Sequence, residues 1–271
     1  MLKVPEYASH YNLATKCLES ALRVLINLSH DNPAWCKLLL HHELTIHVIV
    51  SLITSSYSVR PISAKTAPKD AESEIEDEDL DRDAQAFDRL CLALGLLTNL
   101  VQADDEAKDI CRKTKLSPTC PSKRACAKTC QCLDRISAIE CLVRAHVQHD
   151  SADTKLDADG PSKHIVRGHL AVLFGLLMQQ SPANEQIVLD ALPGASRREK
   201  LNALVTFAKD FVGLYAAFMS RIARGEGEEA NDEAGDDDGD NGKRASGSRN
   251  TSADAQVTED VVMFLEMLRD Q

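Results

Sequence analysis

Hydrophobic positions at helical spacing divide the chain into short blocks, and the first three blocks follow one another closely. Apolar side chains recur every three or four positions between residues 13 and 28, which predicts a helix facing the core. Asn32 followed by Pro33 predicts a new helix, because Asn suits the N-cap and proline suits the first helical position. The side chains expected to face the core are Leu13, Cys17, Leu18, Ala21, Leu22, Leu25 and Leu28 in the first helix, Trp35, Leu38, Leu39 and Leu40 in the second, and Val48, Ile49, Leu52 and Ile53 in the third.

This opening block has two further copies along the chain. LRVLINL (22–28) aligns with LGLLTNL (94–100) at an offset of 72 residues, and LAVLFGLLMQQSPANEQIVL follows at an offset of 80. Ser181 and Pro182 repeat the N-cap and the proline. An apolar helix, a polar turn, a short helix and a longer helix form a unit typical of armadillo and HEAT repeats. The sequence therefore predicts an all-α, HEAT/armadillo-like helical repeat solenoid that occupies residues 1–271 as a single domain.

The offsets exceed the ~40 to 47 residues of such a unit, which indicates that segments have been inserted between the helices. Four segments are too poor in apolar residues to pack and are predicted to be disordered insertions: 57–84, 112–133, 149–163 and 224–256. Helices are predicted at 9–30, 33–41, 43–55, 85–103, 105–111, 134–148, 164–180, 182–191, 197–223 and 257–270. Ser196 and Glu199 form a capping box before the ninth of these helices.

The charge of the chain is concentrated in two acidic segments. The net charge is −11, but residues 71–83 and 226–240 together carry −16, so the remaining residues carry +5. This small excess is spread along the chain and not clustered as phosphate binding requires, so no direct contact with nucleic acid is expected. The longest apolar runs reach about half of the ~20 residues of a membrane-spanning helix, so no membrane association is expected either. The N-terminus lacks the pattern of a signal peptide, which favours a reducing, intracellular compartment for the nine cysteines.

The cysteines between residues 111 and 132 are the sharpest candidate for chemistry. Their gaps of eight, five, three and one residues do not fit common zinc modules, which pair ligands two to four residues apart. Zinc held by Cys130, Cys132, Cys141 and His146 stays open as an alternative to a core role for Cys141. The chain has no phosphate loop, dinucleotide fingerprint or HExxH motif, and its helical histidines (His41, His42, His47, His164 and His169) lack a nucleophile elbow. We therefore expect no enzyme activity, cofactor or metal.

Asn27 and Asn99 occupy the same position in two copies of the repeat. In armadillo arrays such asparagines line a groove and grip the backbone of a bound peptide. At the end of a helix, an asparagine amide equally satisfies carbonyls of the turn. Both interpretations are open from the sequence, and the structural one is favoured.

Four segments together resemble one known family. ALRVLINLSHDNP, LCLALGLLTNLVQ, GHLAVLFGLLMQQSPANEQIVLDALPG and QVTEDVVMFLEML are similar to the C-terminal domain of the Wings apart-like (Wapl) cohesin-release proteins, of the fungal type. The resemblance implies a non-enzymatic nuclear, chromatin-associated protein that promotes release of cohesin from chromatin and opposes sister-chromatid cohesion. The implied partners are the SMC ATPase heads, the kleisin and the HEAT-repeat accessory subunits of cohesin. A release factor of this kind acts by binding the open state of the ring more tightly than the closed state.

The third copy of the repeat is our prediction for the partner-binding surface, because polar and basic residues follow its short helix. The predicted contact residues are Ser181, Pro182, Asn184, Arg197, Arg198, Lys200, Asn202 and Lys209. The alternative function is a generic armadillo-type adaptor or scaffold that binds extended peptides. A ladder of Trp and Asn residues would favour that function, but Trp35 is the sole tryptophan in the sequence.

Overall fold

A computed structural model describes residues 4–57, 74–118, 120, 132–152, 161–228 and 248–271. Within these ranges the chain forms ten helices and one short strand pair, which confirms the all-α class. The helices are α1 (Val4–Ser29), α2 (Pro33–Leu40), α3 (Thr45–Tyr57), α4 (Glu74–Ala103), α5 (Asp105–Lys113), α6 (Ala138–Ala152), α7 (Pro161–Met178), α8 (Pro182–Ala191), α9 (Arg197–Glu228) and α10 (Ser248–Asp270). The arrangement of repeats as a solenoid stays a prediction.

The described chain divides into two compact units. The first unit contains residues 1–157 and 176–193, and the second contains residues 158–175 and 194–271. One boundary between the units, between Gly175 and Leu176, lies within α7, so this helix contributes residues to both units. Each unit is described by itself below, and the single domain expected from the sequence stays a prediction.

Several helices extend into segments that the sequence assigned to insertions. α4 begins at Glu74 instead of residue 85, α9 ends at Glu228 instead of residue 223, and α10 begins at Ser248 instead of residue 257. The early start of α4 has a physical reason, because carboxylates in the first turns of a helix interact favourably with its dipole. The same acidic residues are poor in apolar side chains, so their composition alone predicted an insertion where the structure has the start of a helix. The predicted start of α8, at Pro182, is confirmed.

The two ends of the predicted insertion 112–133 are held together by a strand pair. β1 (Lys115–Leu116) pairs antiparallel with β2 (Ile136–Ser137), with Lys115 opposite Ser137. Leu116 and Cys120 are buried. The expectation of an unpacked loop is therefore wrong for these residues, while residues 121–131 lie outside the described part of the chain.

α4 is the central helix of the first unit and packs against α1, α2, α3 and α5. Its segment Ala84–Ala103 has the length and mean hydropathy of a membrane span. However, its apolar side chains, including Leu90, Leu94, Leu97 and Leu100, are buried among these helices. α2 and α3 have the length and hydropathy of a membrane span only when they are taken together, and the two helices are bent by 90° at the break between them. Within the described residues, α4 therefore has the packing of a core helix.

The apolar faces of α1 to α3 differ from the predicted ones. Among the side chains of α1 that the structure describes, Thr15, Leu22 and Ser29 are buried, and Leu13 is 61% exposed. Cys17 and Ala21 are also exposed. The prediction that these three side chains face the core is wrong, because α1 carries apolar residues on both sides and its spacing alone does not identify the packed side. Three further side chains expected to be buried are exposed: Trp35 and Leu38 on α2 and Val48 on α3.

Hydrogen bonds in the first unit reproduce the repeat found in the sequence. The Cys36 thiol on α2 donates to the carbonyl of Asn99 at the end of α4 over 3.8 Å. The Lys108 ammonium on α5 donates to the carbonyl of Gln179 after α7 over 3.0 Å. The two donors are 72 residues apart and the two acceptors are 80 residues apart, as in the sequence alignment. Each short helix thus donates a hydrogen bond to a carbonyl near the C-terminal end of a later long helix, α2 to α4 and α5 to α7.

The second unit consists of the N-terminal part of α7 with α9 and α10. Glycines on α7 allow the other two helices to come close: a Cβ at Gly168 would lie 2.4 Å from Phe211 Cβ on α9, and one at Gly175 would lie 2.3 Å from Val261 Cγ1 on α10. Leu201, Leu204 and Ala208 on α9 and Val261 and Leu265 on α10 are buried. These contacts place α9 and α10 side by side along α7.

Candidate functional site

The predicted binding residues are divided between the two units. Ser181, Pro182 and Asn184 belong to the first unit, at the start of α8. The other five residues (Arg197, Arg198, Lys200, Asn202 and Lys209) belong to the second unit, in the first turns of α9. Each group therefore forms a candidate surface of its own unit.

The start of α8 is shaped by its backbone. The carbonyl of Ser181 accepts the N–H groups of Asn184 and Glu185 at 3.0 Å, and Pro182 occupies the first helical position. The Ser181 hydroxyl forms no capping hydrogen bond. Ser181 thus occupies the predicted N-cap position, but its side chain does not cap the helix. Gln180, which precedes it, has a φ of +58°, in the left-handed region.

Asn184 is completely buried and serves the packing of the first unit. Its Nδ2 donates to the carbonyl of Leu177 at 3.0 Å and to the carbonyl of Lys108 at 3.3 Å. The side chain therefore joins α8 to the end of α7 and to α5. The prediction that Asn184 contacts a partner is wrong, because no part of its side chain reaches the surface.

The turn before α9 is held by a capping box and by one glycine. Ser196 Oγ accepts the N–H of Glu199 at 3.2 Å, and the Glu199 carboxylate accepts the N–H of Ala195 at 2.8 Å. This confirms the capping box, with the returning bond displaced by one residue to Ala195. Gly194 has a φ of +132°, which other residues rarely adopt. The first turn of α9, with its predicted contact residues, thus has a fixed conformation.

The basic side chains of α9 interact with α10. Lys209 Nζ lies 2.6 Å from Glu266 Oε1, and Arg197 Nε donates to the carbonyl of Leu268 at 3.4 Å. The pKa of Asp270 is below its usual range because Arg269 donates to its carboxylate, with a smaller contribution from the charge of Arg198. Sequence reasoning missed both acids, since α10 is separated from α9 by a long acidic segment. Lys209 is therefore an exposed cation that already has a partner within the fold.

The two asparagines of the repeat have different surroundings. Asn99 Nδ2 donates to the carbonyl of Ile26 at 3.3 Å and to Ser29 Oγ at 3.0 Å, at the end of α1. This confirms the structural interpretation for Asn99. Asn27 is exposed. Because the amide of Asn99 binds its own chain, it is not presented to a peptide, which weakens the adaptor alternative.

Two of the described cysteines, Cys91 and Cys111, are poorly suited to metal binding or nucleophilic chemistry. Burial raises the pKa of Cys111 to about 12, and burial together with the charge of Asp88 raises the pKa of Cys91 to about 12. A thiol with such a pKa is protonated at neutral pH, whereas zinc and electrophiles react with thiolates. Cys141 is buried, as the core interpretation requires.

No group of three or more His, Cys, Asp or Glu residues in the described ranges could hold a metal ion. Cys126 and Cys130 lie outside those ranges. The expected absence of a metal, a cofactor and enzyme activity stays a prediction.

His169 on α7 gives the second unit a pH dependence that can be measured. Its ring is stacked on Phe211 of α9, with 5.4 Å between the centroids, and desolvation lowers its pKa to about 4. In the unfolded chain the pKa of histidine is about 6.5, so the unfolded state binds more protons between these values. Stability should therefore fall as the pH is lowered from about 6.5 to about 4, by about 3 kcal/mol.

The corresponding measurement is urea unfolding at several pH values, combined with NMR titration of the imidazole. His169→Phe should flatten this part of the pH profile. A pKa of His169 near 6.5 in the folded protein would contradict the assignment.

Comparison with protein-family models gives a match to the first part of the chain. A family model described as "Wings apart-like protein regulation of heterochromatin" matches residues 6–107. These residues extend from α1 to the start of α5 and contain the first two copies of the repeat. No curated protein and no solved structure matches the chain.

Proposed function

Because a family model of the Wings apart-like proteins matches residues 6–107, we propose that this chain is a member of that family and a regulator that binds cohesin and promotes its release from chromatin. The observation that carries this proposal is the family match over residues 6–107. The description of the family names regulation of heterochromatin, and cohesin release is our more specific proposal. In this role the protein opposes sister-chromatid cohesion in the nucleus. The fungal type, suggested by the resemblance, stays a prediction.

We further propose that the protein acts by binding and not by catalysis. Its partners would be the SMC ATPase heads, the kleisin and the HEAT-repeat accessory subunits, and ATP hydrolysis would remain with the SMC heads. A binding protein can shift a gate toward the open state only by the difference between its affinities for the two states. No direct contact with nucleic acid or membrane is part of this role.

The contact surface that we propose on the second unit is the exposed first part of α9. Arg197, Arg198, Asn202 and Lys209 are exposed on it, and Lys200 is half-buried. The capping box and Gly194 fix the conformation of the preceding turn, so these side chains are held on a rigid element, as a specific contact requires. Ser181 and Pro182 at the start of α8 are the corresponding candidates in the first unit, and Asn184 is no longer included.

Charge reversal can test this surface if the ion pair between Lys209 and Glu266 is taken into account. We expect Arg198→Glu with Lys209→Glu to reduce binding to purified cohesin about tenfold or more, because two exposed charges change sign. Lys209→Glu alone also loses its partner on α10. The swap Lys209→Glu with Glu266→Lys restores that pair and serves as the matched control for folding.

The readouts are the affinity for cohesin and the amount of cohesin released from isolated chromatin. If the contact is made by Lys209, binding stays reduced in the swapped variant although its thermal stability returns. Recovery of binding together with stability would show that the effect of Lys209 is structural. Unchanged binding and release in the Arg198 and Lys209 double variant would remove α9 from the proposed contact surface.

A further inference from the structure

The outward side of α1 is unusually apolar for a helix at the surface. Leu13 is 61% exposed and Val24 is 56% exposed, and Cys17 lies exposed between them. At about 100° per residue these three side chains share the side of α1 opposite to buried Leu22. A helix that is apolar on two opposite sides is typically covered on both. We define this outward stripe by Leu13, Cys17 and Val24.

The stripe is long and straight enough to accept another helix. Leu13 and Val24 are separated by about 16 Å along the helix axis, which corresponds to three turns. Ser20 lies between Cys17 and Val24 on the same side, and its small exposed side chain does not interrupt the surface. Ala14 and Ala21 lie along one edge, and both are exposed. Small side chains at a helix contact permit a short distance between the two axes.

The other edge of the stripe is basic. Lys16 and Arg23 lie along it, and both are exposed. Arg23 Nη2 is 3.5 Å from Asp88 Oδ2 of α4, but the two side chains are 59% and 57% exposed, so the guanidinium keeps an open side toward solvent. An apolar stripe with a basic edge complements an occupant with an apolar side and an acidic edge.

A second copy of this chain does not offer that complement. Like edges face each other when two identical helices pack antiparallel around a twofold axis. Lys16 and Arg23 of the two copies would then lie together, and like charges at an interface oppose association. The charge pattern therefore favours a different protein over a second copy.

We propose that the outward stripe of α1 binds an amphipathic helix of a partner protein, with the apolar side of that helix on Leu13, Cys17 and Val24 and its acidic residues beside Lys16 and Arg23. In this mode of binding one helix packs on the surface of another, and the apolar contact residues are spaced three and four positions apart. The contact is smaller than a standard protein interface, so the isolated helix is expected to bind weakly. The inference rests on the surface of α1 alone and does not depend on cohesin binding.

The test is fluorescence anisotropy of the full chain with two labelled synthetic peptides that form helices. Both peptides carry leucines at spacings of four, three and four residues. The residues that flank this leucine stripe are glutamates in one peptide and lysines in the other, and the peptides are otherwise identical. The wild-type chain should bind the glutamate peptide at least about tenfold more tightly than the lysine peptide. Equal affinity for the two peptides would overturn the proposed acidic partner.

Substitutions on α1 test whether the bound peptide lies on the stripe. Leu13→Glu with Val24→Glu should weaken binding of the glutamate peptide at least about tenfold, because both apolar anchors are replaced by acids. Met263→Glu with Met267→Glu is the matched control, since these methionines are similarly exposed but lie on α10 of the second unit. This control should bind the peptide as wild type does. Equal binding by both double variants would show that the peptide does not occupy the stripe.

The basic edge is tested separately from the apolar anchors. Lys16→Glu should weaken binding of the glutamate peptide and strengthen binding of the lysine peptide, by about fivefold in each case. A general loss of folding would weaken both peptides, so the opposite directions identify the effect as electrostatic. Raising the salt concentration should reduce the difference between the peptides in the wild-type chain.

Sedimentation equilibrium decides whether a second copy occupies the stripe instead. The wild-type chain should remain a monomer over the concentrations used for the peptide measurements. A dimer that Leu13→Glu with Val24→Glu dissociates would overturn the proposal in favour of self-association. Failure of both peptides to bind at millimolar concentration would overturn it as well.

Discussion

Replacing Gly168 with alanine is expected to lower the free energy of unfolding of the second unit by about 3 kcal/mol. The added Cβ would lie 2.4 Å from Phe211 Cβ and 2.8 Å from the carbonyl oxygen of Phe207, so α7 and α9 must move apart. Neither atom is the end of a flexible side chain. Overpacking of this kind typically costs about 1 to 3 kcal/mol, and more where rigid groups meet. The cost exceeds the gain of about 1 kcal/mol that alanine brings to a helix interior.

Gly175→Ala should have an effect of the same sign, because its Cβ would lie 2.3 Å from Val261 Cγ1 on α10. Two other helical glycines provide matched controls. Apart from the backbone of its own helix, no atom would lie within 4 Å of a Cβ at Gly213, and the nearest such atom at Gly95 would be Ile26 Cδ1 at 3.8 Å. Alanine at either position should leave stability unchanged or raise it by up to about 1 kcal/mol.

Urea unfolding and hydrogen exchange of α9 amides measure these effects. Gly168→Ala should accelerate exchange in α9, whereas Gly213→Ala should slow it. Equal stability of the Gly168 and Gly213 variants would contradict the close contact between α7 and α9.

Replacing Asn184 with alanine is expected to cost the first unit about 3 kcal/mol. The substitution removes hydrogen bonds to the carbonyls of Leu177 and Lys108 and leaves both buried without their donor. It also opens a small cavity at a position that is 0% exposed. Among substitutions at the start of α8, this one should have the largest effect.

The N-caps of the short helices provide a graded set of controls. Asn32 Oδ1 accepts the N–H of Trp35 and Asp104 Oδ1 accepts the N–H of Glu106, so alanine at either position should cost about 1 kcal/mol. Ser181→Ala should cost much less, because the Ser181 hydroxyl forms no capping bond. Thermal unfolding of the four variants gives the order. A smaller effect at Asn184 than at Ser181 would contradict the structural role of the buried amide.

Local sequence signals predicted the starts of α2, α8 and α9. Asn32 before Pro33, and Ser196 with Glu199, act through atoms only a few residues away, so the sequence contains the whole interaction. The offsets of 72 and 80 residues likewise reappear in the hydrogen bonds of Cys36 and Lys108. Apolar composition was enough to predict the all-α class.

Features that depend on distant segments could not be read in the same way. The burial of Asn184 depends on a carbonyl of α5, which is 76 residues away in sequence. The ion pair of Lys209 depends on Glu266, beyond a long acidic segment. For α1 the helix was predicted but its packed side was not, because Leu13 and Leu22 are equally apolar and only the position of α4 distinguishes them. The sequence therefore named candidate contact residues, but it could not show which of them are exposed or already paired within the fold.

Direct binding of the purified chain to cohesin tests the central claim most directly. The chain is immobilised and incubated with the purified cohesin complex and with its separate subunits, and the retained proteins are quantified. The account predicts that the wild-type chain retains the complex and that the Arg198→Glu, Lys209→Glu variant retains about tenfold less. Failure of the folded wild-type chain to retain any cohesin subunit would contradict the proposed function.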